Sequence, residues 1–163
     1  MIRIMFVCHG NICRSTMAEF VMKDMIKKEG ISDKVYVASA ATSREEIGNP
    51  VHYGTRNKLR ELGISTEGKY AVQLTKADYK EYDYIFGMDR FNINNILRIT
   101  DGDPEGKVSK LLDLTNGRDI ADPWYTGNFD ETYDDVLEGC TALLKKIREL
   151  LKKPNKKLTN SGK

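Results

Sequence analysis

Four short apolar runs, with stretches of helical periodicity between and after them, constrain this chain more than any other feature. Ile2, Ile4, Met5, Phe6 and Val7 read as a buried strand with large side chains on both faces. From Ser15 the spacing changes: Met17, Phe20, Val21 and Met25 fall at helical intervals, and Gly30 supplies a stop. Val35 to Ala40 is a second strand, and Pro50 opens a helix to about Leu62, ahead of Gly63. Thr75 and Asp78 resemble a capping box before a short helix to Tyr82. Tyr84 to Gly87 is a third strand, and Asp89 caps a helix carrying Phe91, Ile93, Ile96, Leu97 and Ile99. A weaker fourth strand falls between Lys107 and Leu112. The longest stripe runs from Phe129 through Tyr133, Val136, Leu137, Cys140, Leu143, Leu144 and Ile147 to Leu151, and Pro154 ends it. Strands alternating with helices predict an α/β fold, a parallel sheet covered on both faces. Ligands in such folds bind at the carboxyl ends of the strands, and the first of these ends is Cys8.

Composition narrows the class. The chain has 163 residues, enough for one domain with a sizeable core, and its 40% apolar content excludes disordered and collagen-like chains. With 26 basic and 24 acidic side chains the net charge is +2, so there is no bulk electrostatic case for nucleic acid or a membrane surface. No apolar run approaches the ~20 residues of a membrane span, and the start lacks a secretory apolar region. Three cysteines, an odd and low number, point to a reducing compartment, the cytoplasm. We expect a domain over residues 1–153 and a polar, disordered tail over 154–163, whose lysines read as a solvated helix end.

Between the first strand and the first helix stands C-H-G-N-I-C-R-S, Cys8 to Ser15. A loop there can curl so that the N–H groups of His9, Gly10, Asn11, Ile12, Cys13 and Arg14 converge on a tetrahedral oxyanion, with Gly10 supplying the backbone freedom. Arg14 adds a planar fork able to hold two oxygens, and the same positive field favours the thiolate of Cys8 as a nucleophile toward phosphorus. A cysteine ending a strand is more often a small buried hydrophobe; the spacing to Arg14 and Ser15 is what argues otherwise. No G-x-x-x-x-G-K-[ST] occurs, so the loop is not a nucleotide-binding one.

Val7 to Thr16 (V-C-H-G-N-I-C-R-S-T) resembles the signature of the low-molecular-weight protein tyrosine phosphatases. The likeness continues through S-A-A-T-S (Ser39 to Ser43), I-G-N-P (Ile47 to Pro50), D-Y-I-F-G-M-D (Asp83 to Asp89) and A-D-P-W-Y (Ala121 to Tyr125), covering Ile2 to about Leu151. It implies a four-stranded parallel sheet with helices on both sides. It also implies hydrolysis of aryl phosphates through a cysteinyl-phosphate, with no metal and no cofactor.

Expelling a phenol whose pKa is near 10 calls for a proton donor. Asp122 stands out among the acidic residues, on a loop stiffened by Pro123 and flanked by Trp124 and Tyr125, although a turn whose aromatics pack on the core is an alternative. The resemblance makes Asp122 the general acid and then the base, and Trp124 and Tyr125 the walls around the phosphotyrosine ring. Trp124 stands where animal members carry tyrosine. The resemblance also assigns Asn11, Ser15 and Ser39 to loop support, Ser15 donating to the Cys8 sulfur. Cys13 has two readings, packing within the loop or a reversible disulfide with Cys8, and the resemblance favours the second. Vertebrate members support the asparagine with a histidine; the matching position here is Lys69, which leaves the partner of Asn11 open.

The remaining candidates read blandly. His9 belongs near the rim and His52 on a helix surface, neither at metal-ligand spacing, and Cys140 belongs to the core. The expected substrate is a phosphotyrosine-containing protein, and Tyr125 is itself a candidate target of a tyrosine kinase. Two rival reactions on the same scaffold are arsenate reduction, which needs further cysteines near the site, and phosphoarginine hydrolysis, whose enzymes carry threonine where Ile12 stands.

Overall fold

Side-chain alternation in the first strand explains why it shows no polar face. In the computed structural model, which describes residues 1–152, that strand is β1, Ile2–Cys8, and it lies between two neighbours. Ile2, Ile4 and Phe6 point to one side of the sheet, Met5 and Val7 to the other, and both sides are covered. The neighbours are β2, Val35–Ala41, and β3, Tyr84–Gly87, and β4, Val108–Lys110, adds the far edge. All pairings are parallel, in the order β2-β1-β3-β4.

On the first side pack α1, Arg14–Glu29, and the long α6, Phe129–Leu151. Met17, Val21 and Met22 of α1 meet Val136, Cys140, Leu143 and Ile147 of α6 over Phe6, all buried. On the second side α3, Lys76–Glu81, and α4, Arg90–Thr100, bring Tyr79 and Ile96 onto Met5, Val7 and Ile85. Burial of each such large side chain contributes ~1.5–3 kcal/mol. The ends follow the local chemistry: Gly30 closes α1 at φ 73, and capping boxes open α3 at Thr75 and α4 at Asp89. The helix expected from Pro50 starts later, as α2, Tyr53–Glu61, because the His52 side chain caps it by accepting from the Gly54 N–H. The tail expected over 154–163 lies outside the described residues.

Strand order reverses at β1. The chain leaves it for β2 on one side and crosses back to β3 on the other, so their carboxyl ends part around the residues after Cys8. The fold therefore opens a crevice where the sequence carries its most unusual loop.

Candidate active site

The loop from Cys8 to Arg14 wraps the carboxyl end of β1 before entering α1. Its left-handed residue is Asn11, at φ 59, a conformation that asparagine tolerates better than most side chains. Gly10, expected to supply that freedom, does not have positive φ. Its missing side chain gives room instead, since a Cβ there would stand 3.3 Å from Cγ of Glu46. The turn directs the Asn11 N–H at Cys8 Sγ, 3.3 Å away, and the Ser15 hydroxyl lies 3.0 Å from the same sulfur. Cys8 is buried, and the N–H groups of Gly10, Ile12 and Cys13 donate to no acceptor among the described residues.

The Asn11 side chain holds this turn together. Its Nδ2 donates to Ser15 Oγ at 2.8 Å and to Ser39 Oγ at 2.9 Å, while its Oδ1 accepts from the Val72 N–H at 3.2 Å. The amide thus has three partners from three segments, and Lys69 is not among them; Lys69 Nζ donates to the Ser39 carbonyl at 3.0 Å.

Arg14 is buried and gripped from outside the loop. Its Nη1 donates to Asp89 Oδ2 at 2.6 Å and to the Ile120 carbonyl at 2.9 Å; its Nη2 meets Asp122 Oδ2 at 3.4 Å. No acceptor among the described residues meets its Nε. Burial opposes the guanidinium charge, but Cys8 and Asp89 outweigh it and hold the group above its ordinary value. Asp89 does two jobs, capping α4 through Oδ1 and orienting Arg14 through Oδ2. Sequence reading found the cap and missed the clamp, although the resembling segment Asp83 to Asp89 ends on it.

Asp122 opens the single turn α5, Pro123–Thr126, and its Oδ1 accepts the Trp124 N–H at 3.0 Å. That cap leaves Oδ2 facing Arg14. Trp124 and Tyr125 are exposed. The Trp124 ring sets its edge on His52, with centroids 5.6 Å apart, and His52 stacks on Phe129 at 5.4 Å and Tyr53 at 4.4 Å. His52 is therefore not an open surface residue: it caps α2 and supports the turn that carries Asp122. Burial lowers its pKa, which suits the neutral ring that its accepting Nδ1 requires.

These segments enclose a cavity of about 160 Å³, with Cys8, Ile12, Cys13 and Arg14 below and Glu45, Glu46, Asp122, Trp124 and Tyr125 around it. The two glutamates were not singled out in the sequence. His9, on the rim, pairs with Glu45. A larger hollow of about 580 Å³, between α2 and residues 63–70, shares none of these groups. Cys13 contrasts with Cys8 within one loop: burial, then the charges of Cys8 and Asp122, push its thiol up to about 12. Cys140 is buried in the core, its thiol reaching the Ala18 carbonyl. Among the described residues no group of three His, Cys, Asp or Glu side chains is arranged to hold a metal ion, and no helix is long and apolar enough to cross a membrane.

The family described as Low molecular weight phosphotyrosine protein phosphatase matches residues 3–154. The low molecular weight protein-tyrosine-phosphatase YfkJ of Bacillus subtilis is 40% identical over 152 residues, covering 91% of this chain and 97% of that protein. Its crystal structure superposes with a TM-score of 0.88 over 91% of this chain and 96% of that one, at 39% identity. The phosphatase SP-PTP of Streptococcus pyogenes gives a TM-score of 0.83 at 38% identity, covering 94% of this chain and 99% of that one.

Proposed function

This chain belongs to the low molecular weight phosphotyrosine protein phosphatase family, and from that premise we propose that Cys8, Arg14 and Asp122 carry its chemistry on phosphotyrosine and small aryl phosphates. What supports the reading is convergence: Cys8 and Arg14, from the two ends of one loop, and Asp122, from a distant turn, line one small cavity. A phosphate seated on the loop amides and on the Arg14 fork presents its phosphorus to Cys8 Sγ. The sulfur attacks in line, a P–S bond forms and the P–O bond to the phenol breaks. Asp122, carrying a proton in the substrate complex, delivers it to the departing phenol oxygen. In the second step Asp122, now a carboxylate, takes a proton from water as that oxygen attacks phosphorus. The P–S bond breaks, inorganic phosphate forms, and the electron pair returns to sulfur, where the Ser15 hydroxyl and the Asn11 N–H receive it.

The substrate class follows from the walls. Trp124 and Tyr125 offer aromatic faces to a ring, and Ile12 supplies apolar surface where phosphoarginine enzymes carry threonine. Arsenate reduction would need a third cysteine at the site, whereas Cys140 is buried between α1 and α6. Cys13 we assign a protective role: once a peroxide has converted Cys8 to a sulfenic acid, the Cys13 thiol condenses with it, releasing water and forming a disulfide. A nucleophile of this kind works in a reducing compartment, in keeping with the cytoplasm. Tyr125, 85% exposed, remains our candidate phosphoacceptor for a tyrosine kinase.

Phosphotyrosine, phosphoserine and phosphoarginine peptides, assayed with and without chelator, test the assignment. We expect phosphotyrosine turnover that chelator leaves unchanged, and Cys8→Ser should abolish it while the folded variant still binds vanadate. Preference for phosphoarginine, or turnover by Cys8→Ser, would overturn it.

A further inference from the structure

Beneath the phosphate loop lies a buried carboxylate that the steps above do not use. Glu19 projects from α1; its Oε1 accepts the Ser39 hydroxyl at 2.5 Å and its Oε2 accepts Lys23 Nζ at 2.5 Å. Lys69 Nζ stands 3.6 Å from Oε1 while donating to the Ser39 carbonyl. The two lysines differ in setting: the Lys23 side chain is 47% exposed and that of Lys69 only 14%. Burial pulls the Lys69 ammonium below the ordinary lysine value, and Glu19 works against that pull. A buried charge is retained at such cost only with a partner, so Lys69 depends on Glu19, a carboxylate it shares with Lys23.

Donors and acceptors along this line can be counted. An ionised carboxylate only accepts, so the single hydroxyl hydrogen of Ser39 is committed to Glu19. Ser39 Oγ then has only lone pairs to offer Asn11. The Val72 N–H fixes which end of the Asn11 amide faces inward, so both Nδ2 hydrogens go to Ser39 and Ser15. Ser15 Oγ accepts one of them, which leaves its own hydrogen for Cys8 Sγ. The bonds diverge from the Asn11 amide: one hydrogen leads through Ser39 to the carboxylate, the other through Ser15 to the sulfur.

We propose that Glu19 and Lys69 are positioning residues of the phosphatase reaction: the pair anchors Ser39 and, through Asn11, commits the Ser15 proton to the Cys8 sulfur. The inference rests on the phosphatase reading and adds to it. The step that gains most is the second, in which sulfur leaves phosphorus and must accept an electron pair; a donor already aimed at it stabilises that charge without reorganisation. Lys69 thus serves where vertebrate relatives use histidine, but it acts on Ser39 rather than on the asparagine.

The test compares Lys69→Met with Lys69→Arg on a series of aryl phosphates with phenols of different acidity. Loss of one charge-assisted contact three hydrogen bonds from the sulfur should lower kcat of Lys69→Met roughly tenfold for every phenol alike. All substrates share the cysteinyl-phosphate, so kcat should lose its dependence on the phenol, whereas kcat/KM, which reports the first step, should change less than about threefold. Lys69→Arg, keeping the charge, should recover most of kcat. If Lys69→Met does not fold, Lys69→Gln, which keeps a donor for the Ser39 carbonyl without the charge, carries the same expectation. An unchanged kcat overturns the proposal, as does an equal fall of kcat/KM with arginine no better than methionine, the mark of a purely structural residue. Failure of the phosphatase reading looks different: the wild-type protein itself would form no cysteinyl-phosphate on rapid acid quench.

Discussion

The two loops that meet over the cavity are built on opposite principles. The phosphate loop is buried to its last functional group: Asn11 is 1% exposed, Cys8 and Arg14 each 3%, and Ser15 is fully covered. Its polar side chains are partnered within the loop and beyond it: Cys8 with Ser15, Arg14 with Asp89, and Asn11 with Ser15, Ser39 and Val72. The acid loop is a single helical turn that hangs over the site with Trp124 and Tyr125 in solvent. Among the described residues it is held by the buried Pro123, the weak 3.4 Å contact of Asp122 with Arg14 and the Trp124 edge on His52. The difference matches the division of chemistry proposed above. Holding phosphate and sulfur in line demands fixed geometry, since a small misplacement is costly, whereas a proton donor and a ring-binding wall must accommodate phenols of different shape. A rigid half thus handles what all substrates share, and a yielding half handles what varies.

If that division is real, the largest effect after loss of the nucleophile should fall on one atom of the yielding half. Asp122→Ala should slow phosphotyrosine hydrolysis by about 10²-fold or more, the range for a positioned acid. An aryl phosphate whose phenol is already acidic leaves without help and should lose far less. Equal losses on both would mean that Asp122 serves the cradle through Arg14 rather than the leaving group. The comparison would then break, because the acid loop would be part of the rigid half.

A middle-sized effect separates backbone strain from hydrogen bonding within the rigid half. Asn11→Ala removes three hydrogen bonds and leaves a side chain at φ 59. A left-handed alanine costs ~1–2 kcal/mol, and the orphaned partners add to it. We expect a Tm lower by about 4–8 °C for a chain of this length, together with roughly tenfold lower kcat. Asn11→Gly should recover much of the Tm, having no strain at positive φ, and none of the kcat. If glycine restores both, the network matters only as a way of bending the loop.

The same contrast decides what could be read from the sequence. The sheet, the helices and the cradle were legible because each rests on local signals: apolar periodicity, the capping pairs at Thr75 and Asp89, and a loop whose functional residues lie within eight positions. Asp122 was legible through Pro123 and its aromatic neighbours. Asp89 as a clamp, Glu19 and Lys69 under the loop, and Glu45 and Glu46 on the rim were not, because their roles arise from meetings across 20 to 75 positions that no period encodes. Gly10 and Asn11 were both legible as special, but the left-handed backbone expected at Gly10 falls on Asn11, which also keeps its expected support of the loop. Propensity puts left-handed backbone at glycine first, whereas here Glu46 claims the space beside Gly10 and the asparagine amide more than offsets the strain at its own φ.

The smallest effect tests whether the yielding half can be altered without disturbing the rigid one. Trp124 is 58% exposed, so its truncation uncovers little surface, and Trp124→Ala should leave the Tm within about 1 °C. What it removes is a face for the substrate ring. An aromatic contact beyond simple burial contributes about 0.5–1.5 kcal/mol, so KM for phosphotyrosine should rise roughly two- to tenfold while kcat holds. Vanadate has no ring, so on the proposed site it needs only the loop amides and Arg14 and should inhibit the variant at the same concentration as the parent. Weaker vanadate inhibition would contradict the division, and its route would be short. Trp124 shares a turn with Asp122, whose Oδ1 accepts the Trp124 N–H and whose Oδ2 touches Arg14, so a shifted turn would reach the phosphate fork through one carboxylate. Vanadate affinity in Trp124→Ala therefore measures how stiffly that carboxylate couples the two halves.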